Sequence, residues 1–170
     1  MKIRVVLLVY LFSLFAKSSH GIVIRHDVAP GAYSLRPNDF PQVFFLERQG
    51  MRKVCGATLI SDRWALTAAH CVGETSLGSV IQTGEEFQVE IANTERSIDR
   101  VVSHPSFLSS STPEIDLALL RFSEEVDSPQ PIPLNTQPNE LGETITLVGW
   151  GYFGLGTTGR QYDDGTKRQA

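Results

Sequence analysis

Trp64-Ala65-Leu66-Thr67-Ala68-Ala69-His70-Cys71 is the stretch on which the fold turns. An apolar run shortens into small residues, then ends in a histidine and a cysteine. Small neighbours let an imidazole lie against the backbone while its edge stays reachable. A general base needs that combination: a group that titrates near working pH, held in place and accessible. Just upstream, 54–60 is a second β-like run, and a polar Ser61-Asp62 turn separates it from the run at 63–69. Further strands are expected at 42–47, 79–82, 86–92, 97–103, 116–122 and 145–148. In Phe87-Gln88-Val89-Glu90-Ile91 apolar and polar residues alternate, as in a half-buried strand. No stretch reads as an amphipathic helix longer than two turns, and the tail at 157–170 is Gly-rich and polar with no clear strand. Short strands punctuated by turn signals imply an all-β chain, an antiparallel barrel or sandwich.

A second stretch answers the first. In Glu114-Ile115-Asp116-Leu117-Ala118-Leu119-Leu120 a carboxylate heads an otherwise apolar strand. Burying a carboxylate is costly unless it is paired or hydrogen-bonded. Asp116 therefore needs a partner, and His70 is the natural candidate. A carboxylate bonded to one imidazole nitrogen sets the tautomer and stabilises the imidazolium formed during reaction.

The 170 residues carry a net charge of -4, which leaves no electrostatic footprint for nucleic acid. The N-terminus, Met1 to Gly21, reads as a cleaved secretory signal. Lys2 and Arg4 precede an uncharged run from Val5 to Ala16, too short to span a bilayer, and small residues follow. The mature protein is then expected to be secreted, extracellular or periplasmic, and not held in a membrane. In an oxidising compartment the even pair Cys55 and Cys71 reads as a disulfide rather than a metal site. Closing a loop of that size contributes about 3 kcal/mol in the chain-entropy model. Two cysteines and four scattered histidines have no zinc-ligand spacing, so neither a metal nor another cofactor is expected. Pro129-Gln130-Pro131-Ile132-Pro133 suits neither helix nor central strand and reads as a connector.

Thr67 to Cys71 (TAAHC), Asp116 to Leu120 (DLALL) and Gly149 to Gly151 (GWG), in that order and with Cys55-Gly56 upstream, resemble the trypsin/chymotrypsin-like serine protease family. The resemblance covers 22–156. It implies two perpendicular six-stranded antiparallel β-barrels with the active site between them. It also implies His70 as general base, Asp116 as its orienting carboxylate, a Cys55–Cys71 disulfide beside the histidine, and protein or peptide substrates. On this reading 22–128 is a complete first barrel, and 129–170 is the connector and an incomplete start of the second. The family's Gly-Asp-Ser-Gly-Gly segment is not among these residues, and no serine here has a comparable Gly-flanked context. The chain alone is thus expected to be an inactive fragment of a serine endopeptidase. Ile22 occupies the place of the family's activating N-terminus. There, Gly21-Ile22-Val23-Ile24-Arg25 departs from the usual Ile-Val-Gly-Gly, and signal cleavage would itself free the Ile22 amine.

Other readings carry less. Gly149-Trp150-Gly151-Tyr152-Phe153-Gly154 matches a dinucleotide-binding pattern formally, but no helix is expected after it and no βαβ unit surrounds it. Glu74, Glu85 and Glu86 fall in a loop that binds calcium in some relatives, yet offer few oxygen ligands. The alternative function is a non-catalytic protease homologue acting as a secreted binding protein. A short binding barrel with these motifs by chance would instead leave Cys55 and Cys71 as free thiols. The oligomeric state is not legible.

Overall fold

The computed structural model describes residues 22–109, 115–155, 157, 159–160 and 163–170. The expected signal segment, 1–21, and Glu114 lie outside the described residues.

The described chain opens with β1 (Ile22–Ile24) and a short 3-10 turn at Pro30–Tyr33. Six strands then build one antiparallel sheet: β2 (Val43–Gln49), β3 (Arg52–Leu59), β4 (Trp64–Thr67), β5 (Phe87–Ile91), β6 (Thr94–Ser103) and β7 (Ala118–Phe122). Their order is β2-β3-β4-β7-β6-β5, and the sheet curls until its edge strands, β2 and β5, approach each other. The result is a nearly closed barrel. Alternation gives the sheet one apolar face to enclose: Phe87, Val89 and Ile91 are buried on β5 while Gln88 and Glu90 face water. On β7 the inward set is Ala118, Leu120 and Phe122. Leu120 and Phe122, with the three buried β5 residues and with Phe44, Leu46, Leu59, Ala65, Ile98 and Val126, fill one core, and Phe44 meets Phe122 at 6.2 Å between ring centroids. Fully burying a side chain of this kind contributes about 1.5–3 kcal/mol.

Among the described residues, three short helices interrupt the strands: α1 (Cys71–Glu74), α2 (Leu77–Gln82) and α3 (Pro105–Ser109). The strand expected at 79–82 is therefore wrong, because that run belongs to α2. Leu77 is fully buried, and Val80 and Ile81 pack against the same core. That i, i+3, i+4 spacing belongs to a helix, and an apolar run so short does not distinguish the two periods.

The Pro-rich connector lies along the barrel. Ile132 N–H donates to Leu59 O at 3.0 Å, and Gln42 Nε2 donates to Gln130 O at 2.9 Å. Beyond it come β8 (Val148–Gly149), β9 (Phe153–Leu155), β10 (Gly159–Arg160) and β11 (Arg168–Gln169). The strand expected at 145–148 is thus shifted toward 148–149, although Leu147 and Ala170 exchange both backbone bonds, at 2.8 and 3.0 Å. The tail is also corrected. It contains β10, which pairs with β9, and β11, which pairs with β8. Two-residue strands have no side-chain alternation to read; their partners sit elsewhere in the chain. β1 runs parallel to β9, with Ile22 opposite Phe153 and Ile24 opposite Leu155.

Candidate active site

Strand register brings the two decisive stretches together. β4 pairs antiparallel with β7, with Thr67 opposite Ala118 and Leu66 opposite Leu119. Past this end of the pairing the chains diverge by only a few residues, so His70 and Asp116 meet. Thr67 Oγ1 donates to Gly56 O at 2.8 Å, tying this end of β4 to β3. Ala69 is buried, and His70 stands at the entrance to α1 in right-handed helical geometry.

Asp116 holds His70 twice. The His70 backbone N–H donates to Asp116 Oδ1 at 2.9 Å, and His70 Nδ1 lies 2.5 Å from Asp116 Oδ2. A carboxylate accepts, so this contact places the proton on Nδ1 and leaves the lone pair on Nε2. The bond from the ring, with the backbone donors of His70 and Ala69, holds the Asp116 carboxyl below its ordinary range. The His70 side chain is 47% exposed, so Nε2 is open to an incoming group.

The disulfide is formed. Cys55 and Cys71 are joined, with Cα atoms 5.8 Å apart. Free thiols at these positions, which the chance-barrel reading requires, are not found among the described residues. Cys55 adopts a φ of +57°, in the left-handed region that L side chains avoid. Cys71 Sγ lies 3.5 Å from His70 Nε2.

Two features were not legible beforehand. Glu74 Oε2 stands 4.0 Å from His70 Nε2, one helical turn along from it. Only the existence of α1, four residues long, would have revealed this. Cys55, His70 and Cys71 also bring three potential metal ligands within 4.8 Å of one another, a grouping invisible in linear spacing. His104, by contrast, is used locally: its Nδ1 accepts from Ser106 N–H at 3.2 Å, next to α3. The segment after Gly151 is β9 and not a helix, so the nucleotide-like glycine pattern has no helix N-terminus to offer phosphate. Backbone pairing is described at Ile22, through β1, and its side chain lies outside the description.

With this geometry in place, comparison with known proteins identifies the family. The trypsin family model matches residues 30–167, and the chain belongs to that family. It is 31% identical over 163 residues to kallikrein 1-related peptidase b27 of Mus musculus, covering 84% of this chain and 60% of that one. It is 38% identical over 116 residues to kallikrein-12 of Homo sapiens, covering 65% of this chain and 45% of that one. The chain thus spans about half the length of these curated relatives. Among solved structures it resembles neuropsin, a serine protease expressed in the limbic system of mouse brain, with a TM-score of 0.58 at 22% identity. That match covers 81% of this chain and 61% of neuropsin, and it supports the double-barrel type of fold. No helix among the described residues is long and apolar enough to cross a membrane.

Proposed function

We propose that these residues form the base-bearing half of a secreted serine endopeptidase, which cleaves protein or peptide substrates by acyl transfer. The bidentate hold of Asp116 on His70 carries the reading, because it presents an exposed Nε2 lone pair in a fixed direction. In the reaction Nε2 takes the proton of a serine hydroxyl as that oxygen attacks the scissile carbonyl. The imidazolium, stabilised by Asp116, then gives the proton to the leaving amine. The attacking serine and its oxyanion hole come from a segment outside these 170 residues. In this reading 22–128 is one barrel, 129–170 begins the second, and Ile22 is the activating N-terminus after removal of 1–21.

The test has two arms. The 170-residue chain alone is expected not to hydrolyse a peptide ester; hydrolysis that disappears in His70→Ala overturns its inactivity. In the longer protein encoded by the same reading frame, Asp116→Asn is expected to lower kcat about 10⁴-fold, the scale set by a wrongly held tautomer. An unchanged kcat there overturns the roles of His70 and Asp116.

A further inference from the structure

Lys53 and Lys167 are the only lysines after residue 21, and both line one cavity of about 270 Å³ where the barrel meets the later segment. Lys53 stands on β3, and Lys167 comes more than a hundred residues later, just before β11. Much of the remaining wall is apolar. Leu35, Pro37 and Pro41 come from the segment ahead of β2, Phe45 from β2 itself and Trp150 from the later segment. Phe45 and Trp150 meet edge to face, with ring centroids 5.7 Å apart.

The two ammoniums are not equivalent. The three N–H groups of Lys167 are spent on the carbonyls of Asp39, Phe40 and Val43. Lys53 has no such acceptor among the described residues. Its Nζ lies over aromatic faces instead, 5.1 Å from the Phe45 centroid and 5.4 Å from that of Trp150. Withdrawing an ammonium from water without giving it acceptors is costly. Burial accordingly pulls the Lys53 pKa below its ordinary value, Arg48 adds to the fall and Glu90 opposes it. Glu90 is the one carboxylate in the lining, and it lies on the exposed face of β5. Two positive charges against one negative leave the cavity with a positive excess, and the unmatched donors are those of Lys53.

The matching occupant has an anionic acceptor at one end and a flat apolar body. A carboxylate meets the first need, because hydrogen bonds between an ammonium and a carboxylate are about twice as strong as neutral ones. An aromatic ring meets the second, packing on the Phe45 and Trp150 edges and the proline wall. The volume falls just under the roughly 300–1,000 Å³ of ordinary ligand pockets, which favours a body of one or two rings. We propose that this cavity binds a small aromatic carboxylate, with the carboxylate on Lys53 Nζ and the ring against Phe45, Trp150 and the prolines. Its walls belong to both the barrel and the later segment, so the bound acid fastens one to the other and stabilises the folded chain.

Neither His70 nor Asp116 takes part, so this proposal and the peptidase reading stand or fall separately. The probe is 2-naphthoate, titrated calorimetrically into the 170-residue chain beside its neutral counterpart, 2-naphthamide. Naphthoate is expected to saturate one site per chain, to bind about tenfold or more tighter than the amide, and to weaken as salt is added. Lys53→Met keeps an unbranched apolar side chain and removes the charge. It should weaken naphthoate about tenfold or more and abolish the preference for the acid over the amide. Glu90→Gln removes the opposing charge at an exposed position and should tighten naphthoate about twofold without changing the amide. Equal binding of acid and amide to the unaltered chain overturns the proposal and requires no variant to fold. So does naphthoate that fails to saturate at one equivalent, or an unchanged naphthoate affinity in a Lys53→Met chain that keeps its β-sheet circular dichroism.

Discussion

The barrel and the segment from 145 to 170 are both made of strands, yet they are held together by different physics. In the barrel the strands run four to ten residues and close over an apolar core in which Leu59, Ile91, Ile98 and Leu120 are fully buried. In the later segment the strands run two or three residues, and Ile145 and Leu147 are exposed. Charge takes the place of a core there. Arg168 reaches Asp164 through two hydrogen bonds at 2.8 and 2.7 Å and lies 4.0 Å above the Phe153 ring. Lys167 Nζ donates to the carbonyls of Asp39, Phe40 and Val43 and sits over Trp150. Burial and the nearby Lys53 pull its pKa down to about 8, so at neutral pH it is still the ammonium those carbonyls want. Volume governs one region and protonation the other, so different perturbations should separate them.

The largest separation should come from the core. Phe122 is 1% exposed, and Phe122→Ala removes a ring from the centre of the barrel. The expected cost is about 3–5 kcal/mol, read as a lower urea midpoint with an unchanged m-value. The chain has two tryptophans, Trp64 on β4 and Trp150 in the later segment, so single-tryptophan variants report each region separately. A loss below about 1 kcal/mol at the Trp64 reporter would mean that the barrel is not held by its core, and the contrast would fail.

Acid should act the other way round. The two bonds from Arg168, with the Thr166 backbone N–H, hold the Asp164 carboxyl well below its ordinary 3.8. A depressed carboxylate adds stability that is fully present above its unfolded value and is lost as pH falls through its folded value. The segment's ion pair therefore survives acidification to pH 3.8 and opens only below it. Asp164→Asn removes the carboxylate at neutral pH and leaves Arg168, whose side chain is 6% exposed, without its partner. The expected cost is about 1–3 kcal/mol, under the full penalty for a buried pair because a third of Asp164 faces water. Trp150 fluorescence should change in this variant at neutral pH while Trp64 fluorescence does not. Simultaneous changes at both reporters would show one cooperative unit and merge the two regions.

This division also explains what could be read from the sequence. The barrel was largely legible because burial imprints a period: 87–91 alternates, 116–122 is apolar, and both are strands or lead into one. His70 and Asp116 stood out because each is a polar group where the local pattern calls for an apolar or small one, and the register of β4 with β7 joins them. Segment 79–82 failed because Val80 and Ile81 serve a helix of only six residues, too short for its period to show. The tail failed for a different reason. Arg168 is buried by Asp164 and Phe153, and Lys167 by carbonyls more than a hundred residues away, so its strands follow partners rather than any pattern of their own. Glu74 was visible as an acid but not as a neighbour of His70, since that adjacency depends on four residues turning helical.

The smallest effect sharpens the contrast most, because it sets like against like. The barrel also has an ion pair, Arg63 to Glu125 at 3.4 Å, with side chains 46% and 58% exposed. Both charges keep most of their hydration whether or not they touch, and holding two long side chains together costs rotamer entropy. Arg63 has another bond besides, from Nη1 to Ser123 O at 3.3 Å, that does not depend on Glu125. Glu125→Gln should therefore change barrel stability by no more than about 0.5 kcal/mol in urea unfolding, and less as salt is added. The same change of a carboxylate to an amide at Asp164 is expected to cost several times more. If the two substitutions cost the same, burial of Arg168 has no energetic consequence, and charge is not what fastens the later segment.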